Sequence, residues 1–281
     1  MTGIKKLIAR ALRRFNIVIT RGRTFDRLIQ NERELHRLGE CWDFLRHVGA
    51  NHVHKALKLL ADTHGENFQD LFAALLLGDR ENGFFVEFGA TDGVTGSNTL
   101  MFEERAGWNG IIAEPARAWH QKLAMSRKCT ISHDCVWRTS GDLVEFCEAG
   151  DAGFSTIARF ADLDRHASKR KRSTSYSVPT ISLDDLLARH DAPANIDLVS
   201  LDTEGSEFDI LAAFSFDRYR ISVLVVEHNF RPQREALHHL LTRNGMVRVL
   251  PELSKYDDWY VADDLVARVE EIFPGAAMAH A

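Results

Sequence analysis

The sequence lacks any run of roughly 18 apolar residues, so no segment reads as a transmembrane helix, and its longest apolar stretches are strand-sized. The opening stretch, MTGIKKLIARALRRFNIVIT, is basic but has no unbroken apolar core followed by a small-residue cleavage site, which argues against an export signal. Cysteine is sparse. Cys41, Cys129, Cys135 and Cys147 show neither CxxC spacing nor the density of a secreted scaffold, so reduced thiols, no disulfide, no zinc site and a cytoplasmic location are expected. Positive charge is also short: a net charge of −5 speaks against nucleic acid as a partner for the surface as a whole. There is no internal repeat, no low-complexity tract and no GxGxxG.

What is present is a chain of 281 residues, 45% hydrophobic and 27% charged, enough to bury one main core plus an appendage. Its charge is uneven. Residues 1–30 hold eight Lys or Arg against the single acid Asp26, a local +7 that leaves −12 on the remainder. Within them Ile4, Leu7, Ile8, Ala11, Leu12 and Phe15 recur at helical spacing, while Lys5, Lys6, Arg10, Arg13 and Arg14 fill the other face. Such a cationic amphipathic helix most often docks on its own core or on a partner subunit in a homo-oligomer. The sharper reading is peripheral contact with an anionic surface such as the inner face of a membrane. Helical periodicity continues over 25–78, which makes 1–80 a helical N-terminal region.

From residue 84 short apolar runs alternate with helical segments, the pattern of βαβ units and a mostly parallel sheet. Strands are predicted at 84–90, 110–115, 130–136, 196–202, 221–229, 246–250 and 258–262, seven in all, within a domain over 81–265 followed by a tail, 266–281. Ser97 or Asn98 caps the helix that closes near Gly107, and Pro232 and Gly245 bracket another. An insertion, 137–180, carries a basic run (Arg165, Lys169, Arg170, Lys171, Arg172) and reads as polar and mobile, either a solvated loop or a lid over an anionic substrate.

Ligands of open α/β sheets bind beyond the carboxyl ends of the strands, so the strand ends carry the chemistry. The first ends in EFGATDG, where Gly89 and Gly93 permit a tight turn and close backbone approach, and Asp92 adds a carboxylate. An acidic GxxxG suits an ammonium or sulfonium centre better than a pyrophosphate. The second ends in Glu114, 21 residues after the turn, from which a carboxylate accepts ribose hydroxyls. Asp134 stands where it can accept an adenine amino group. The fourth strand runs into Asp202, Glu204 and Glu207, the last in a helix first turn that favours acids anyway. The fifth ends in Glu227, His228 and Asn229. Asp202, Glu227 and His228 suit a general base, and Asp202, Glu227 and Asn229 a divalent cation such as Mg.

The ordered blocks QDLF (69–72), GFFVEFGATDG (83–93), SNT (97–99), GWNGIIAEP (107–115), VPTISLDDLL (178–187), IDLVSLDTEGSEFDIL (196–211), VEHN (226–229) and DDWYV (257–261) together resemble the FkbM-type methyltransferases. That resemblance implies a Rossmann-like class I fold, S-adenosylmethionine as donor, and O-methylation of a sugar, glycan or secondary-metabolite hydroxyl. By matching positions it sets Glu87, Gly89, Asp92 and Gly93 around the methionine part and Ser97, Asn98 and Thr99 near its carboxylate. Glu114 then takes the ribose and Asp134 the adenine, while Asp202 and Glu204 border the transfer site. Rival readings are a nucleotide-dependent oxidoreductase, against which the missing GxGxxG counts, and a membrane-recruited binding module without turnover.

Overall fold

The computed structural model describes residues 22–162 and 167–279, so the cationic face over 4–15 and Arg165 lie outside the described residues. The chain divides into two compact units, one ending at Asp43 and the other running from Phe44. Three helices open the described chain: α1 (Gly22–Leu45), α2 (Ala50–Leu59) and α3 (Gln69–Leu77). Helix α3, QDLFAALLL, is built of strong helix formers and ends at Gly78, whose φ of +74° suits only glycine comfortably. It is buried all round, as a helix without a polar stripe must be. Its Phe72 stacks on Trp259 with ring centroids 4.7 Å apart. No described helix is long and apolar enough to cross a membrane.

The larger sheet is α/β in character but mixed, with eight strands rather than seven. In chain order they are β1 (Phe84–Phe88), β2 (Asn109–Ala113), β3 (Thr130–Ser132), β8 (Asn195–Leu201), β9 (Arg220–Glu227), β10 (Met246–Val249), β11 (Asp257–Ala262) and β12 (Met278–Ala279). Their spatial order is β12-β10-β11-β9-β8-β1-β2-β3. The five strands from β3 to β9 are parallel, and β11, β10 and β12 are antiparallel. The extra strand arises in the tail, where Met278 and Ala279 pair with Val249 and Arg248 after helix α9 (Val266–Ile272). Central strands β1 and β8 are buried on both faces, hence their near-continuous apolar runs.

Helices α4 (Leu100–Ala106), α5 (Arg117–Ser126), α6 (Leu183–Arg189), α7 (Glu207–Ala212) and α8 (Arg234–Arg243) connect the strands. Strand order runs β1, β2, β3 one way and β1, β8, β9 the other. The crevice between the carboxyl ends of β1 and β8 is therefore the topological switch point.

Two expectations need correction. The predicted strand 130–136 breaks in two: Ser132 turns its Oγ onto the Asp134 N–H, and Cys135–Val136 (β4) leaves for a second sheet. That sheet is the insertion. Strands β5 (Leu143–Ala149), β6 (Thr156–Ile157) and β7 (Ser173–Ile181) join β4 in the order β4-β7-β5-β6. They close over a core that includes Trp137, Phe146, Ile157, Phe160 and Val178. The segment is a folded wall because its apolar residues find one another, although each strand alone reads as polar.

Candidate active site

Gly89 ends β1 at φ +72°, and a Cβ there would stand 1.8 Å from the carbonyl oxygen of Asp202, at the end of β8. Only glycine lets the two strand ends approach so closely. The turn that follows is tied to β2: the Thr91 N–H donates to Glu114 Oε2 at 3.0 Å and the Ala116 N–H to Oε1 at 2.8 Å. Each oxygen of Glu114 keeps acceptor capacity toward the cleft. Burial, the main cause, pushes its carboxyl up to about 7; the two amides pull it down and the Glu148 carboxylate adds to the rise.

Around these groups lies a cleft, partly open to solvent, with about 600 Å³ of space between its walls and its mouth. Phe88, Gly89 and Thr91 form one side, Glu114 and Pro115 the floor, and Asp202 and Glu204 the far end. Cys135 and Val136 on β4, with Phe146, Ser155 and Ile157 of the insertion, supply an apolar wall. A smaller hollow of about 270 Å³ lies across the 203–206 turn, bordered by Gly205, Glu227, His228 and Arg231.

Asp202 and Glu227 meet between the two hollows and share a hydrogen bond. Two carboxyl groups in hydrogen-bond contact hold a proton between them. Burial, the main cause, raises both carboxyls, Asp202 to about 7, so the pair keeps a proton that two separate carboxylates would have lost. Asp202 is open to solvent through the cleft although protein surrounds it densely, which makes it the accessible member.

One carboxylate oxygen each of Asp202, Glu204 and Glu227 lies within 4.8 Å of the others. These residues fit a cation poorly: the first and third are bonded to each other, and Glu204 is engaged by Arg170 Nη2 at 2.9 Å. Arg170, from the basic run, is buried and also donates to the Phe154 and Ala161 carbonyls, so it fastens the insertion to the turn. Glu207 accepts from the Thr203 and Gly205 amides, each at 2.9 Å, and serves the turn itself.

The structure departs from the expected ligand set elsewhere. Glu87 is buried and accepts from Ser97 Oγ, the Asn98 N–H, Thr99 Oγ1 and Arg127 Nη1, at 2.6 to 3.1 Å. Glu87, Ser97, Asn98 and Thr99 thus hold the loop from behind and do not line the cleft; nor does Gly93, whose φ of +80° packs the turn against α5. Asp92 caps its own turn. Burial works against its ionisation, but the Thr95 and Val94 amides hold its carboxyl below the usual value. Asp134 pairs with Arg189 outside the cleft, a consequence of the break in the third strand.

His228 Nδ1 accepts the Phe230 N–H at 2.9 Å, and burial, first among several causes, lowers the ring to about 4. The imidazole is neutral with its basic nitrogen occupied, so it does not suit the role of base. The Asn229 amide is buried with neither end hydrogen-bonded, at a backbone φ of +42°.

Several contributors escaped the sequence reading. Arg127, the buried cation of the Glu87 web, also donates to the Gly93 carbonyl, yet stands in a plain stretch, SRKCT. Asp257, raised to about 7 by burial and by Glu66 and Asp258, accepts from Gln69 Nε2 at 2.5 Å and pairs in register with Glu227. The blocks QDLF and DDWYV held both partners, but 188 residues separate them.

A family model described as the methyltransferase FkbM domain matches residues 87–259. No curated protein matches the chain. Among solved structures it is similar to a precorrin-6y C5,15-methyltransferase from Geobacter metallireducens GS-15, at 10% identity and a TM-score of 0.35, over 69% of this chain and 86% of that one.

Proposed function

Since the chain belongs to the methyltransferase FkbM family, whose domain spans residues 87–259, we propose that it moves a methyl group from S-adenosylmethionine to a hydroxyl oxygen. The observation that carries this reading is the close approach of Gly89 to Asp202, which sets a cleft lined by Glu114 and an accessible carboxylate side by side. Bound there, S-adenosylmethionine supplies a methyl on a sulfonium. Glu114 accepts from the ribose hydroxyls, and the wall of Cys135, Val136 and Phe146 covers the adenine, in place of the contact first assigned to Asp134. The 89–93 turn borders the methionine part.

The chain's task is alignment and removal of one proton. A bound sulfonium donor would supply the methyl and leave as a neutral thioether, and Asp202 would take the proton that the acceptor hydroxyl gives up. Glu227 shares a hydrogen bond with Asp202 and holds that carboxyl in place. No step needs a divalent cation, because the carboxylates that would hold one are already engaged.

On the acceptor side, Phe230 and Tyr256 are exposed just past Glu227, with ring centroids 5.9 Å apart and perpendicular. Apolar ring faces beside carboxylates suit a small polyol or a glycan. Calorimetric titration with S-adenosylmethionine, S-adenosylhomocysteine and NAD tests the donor: the first two bind and NAD does not. Binding of NAD alone would favour the oxidoreductase reading. Transfer of a tritiated methyl group to a panel of glycosides, in parallel with non-hydroxyl acceptors, tests the oxygen.

A further inference from the structure

The smaller hollow, across the 203–206 turn from the cleft, is bordered by the end of β9 and by the first turn of α8. His228 lies on its wall with a side chain only 1% exposed. Its Nδ1 accepts the Phe230 N–H, so the neutral ring carries its hydrogen on Nε2, and that atom is buried without a hydrogen-bond partner. Asp258 Oδ1 stands 4.0 Å away, beyond hydrogen-bond reach, and both Asp258 oxygens take a bond from Arg234, at 2.7 and 2.8 Å. A buried donor left unpaired is costly, and on the wall of a hollow it points to a ligand. Arg231 brings a charge to the same wall. A Cβ on Gly205 would fall 1.8 Å from Arg231 Nη1, so only glycine lets the guanidinium rest against the turn, where Nη2 donates to the Glu204 carbonyl at 2.8 Å. Helix α8, ten residues long, adds the positive end of its dipole: Gln233 at its N-cap supplies no side-chain hydrogen bond, and its first turn faces the hollow. The acids on this hollow are committed. Glu207 accepts from the Thr203 and Gly205 N–H groups, and Glu227 shares a hydrogen bond with Asp202.

We propose that this hollow is an oxyanion subsite, in which the His228 Nε2–H, the Arg231 guanidinium and the N-terminus of α8 hold a carboxylate or phosphate of the methyl acceptor. The assignment to the acceptor rests on the methyl-transfer reading; the anion site itself does not. A neutral donor, an anchored cation and a helix dipole all favour an oxyanion, and arginine suits its planar or branched oxygens better than a point charge does. Position agrees with chemistry. Glu227 borders the hollow and Asp202 the cleft, and the two carboxyls meet between them. An acceptor anchored by its anion therefore reaches the base from the side away from the donor, as an in-line displacement requires. Phe230, edge-on to His228 with ring centroids 5.0 Å apart, supplies an apolar face beside the anion. The acceptor class is then an acidic hydroxy compound, such as a sugar phosphate or a sugar acid, rather than an uncharged polyol.

Amide and imidazole NMR of the full chain, titrated with inorganic phosphate and separately with acetate, tests the anion site. Shifts are expected at the first-turn amides of α8 and at the His228 Nε2–H, with a dissociation constant of about 1 mM. His228→Phe, which keeps a ring and removes the donor, and Arg231→Met each weaken binding about tenfold, while the affinity for S-adenosylmethionine and the far-UV circular dichroism stay unchanged. Failure of the parent protein to bind S-adenosylmethionine defeats the methyl-transfer reading and with it the assignment to an acceptor, while the phosphate result still decides the anion site. The acceptor role is read from transfer of a tritiated methyl group to glucose, glucose 6-phosphate and glucuronate. The anionic members are preferred about 100-fold in kcat/KM, the better of the two tells phosphate from carboxylate, and the preference is lost in His228→Phe. Anions bound elsewhere, an affinity unchanged in both variants, or transfer that favours glucose overturns the proposal.

Discussion

Raising the pH from about 5 to about 7.5 destabilises the ligand-free protein through Glu114. Its carboxyl, ordinarily near 4.5, is held at about 7, chiefly by burial. Between those values the folded chain keeps a proton that the unfolded chain has lost, so stability falls as pH rises through the window. Two and a half pH units correspond to about 3 kcal/mol, fully lost above pH 7. Ribose hydroxyls donated to the ionised carboxylate reverse the preference, so binding of S-adenosylmethionine must expel the proton. At pH 7, where the ligand-free group is half protonated, this is about half a proton per site, and more at pH 6.

Calorimetry in two buffers of different ionisation enthalpy measures that number directly. Glu114→Gln supplies the control: Asp202 and Asp257 also titrate near 7, and only the part that vanishes in the variant belongs to Glu114. The same variant loses about 2 kcal/mol of affinity, roughly 30-fold, from the missing charged acceptor. If proton release is identical in the variant, or absent in the parent protein, Glu114 is not the ribose ligand.

Gly89→Ala drives a methyl group into the Asp202 backbone and strains a left-handed residue; a loss of more than about 2 kcal/mol in urea unfolding, with cofactor binding abolished, is the expected result. Asp202→Asn keeps the dissociation constant for S-adenosylmethionine within about threefold while turnover of the acceptor falls about 100-fold or more; unchanged turnover would remove Asp202 from the mechanism. Arg127→Met leaves Glu87 charged and buried without its partner and costs about 3–5 kcal/mol, read as a lowered denaturation midpoint. Removal of residues 1–20 abolishes flotation with anionic liposomes if the basic face works as a peripheral anchor, and leaves it unchanged if it does not.

The parts legible in the sequence were those fixed by short-range pattern. The apolar runs of β1 and β8 announce buried parallel strands, and the acids that end them fall at the switch point because strand ends are where the fold opens. The ordered blocks were likewise specific enough to carry the family. What the sequence concealed depends on distance. Glu87 and Glu114 are the same residue type near the ends of neighbouring strands, and nothing local says that Arg127, forty residues on, ties one into a buried web while the other faces the cleft. The break before Asp134, where its N–H donates to the Ser132 hydroxyl, leaves no mark in the apolar pattern, and the insertion's core is spread over polar-looking strands whose apolar faces agree only once paired. The antiparallel edge was hidden because direction is set by connections, not by strand composition.

The approach of Gly89 to Asp202 has a bearing on how such a protein can change. The spacing between the 89–93 turn and the end of β8 is fixed by two main chains in van der Waals contact, so it has little slack to acquire, and only the Asp202 side chain can still turn about its own torsions. Phe230, Tyr256 and the hollow beyond Glu227 carry no such constraint. On the proposed reading, substitutions there change which acceptor fits while the main-chain contact between Gly89 and Asp202 stays untouched, so specificity can drift without the reaction having to be rebuilt.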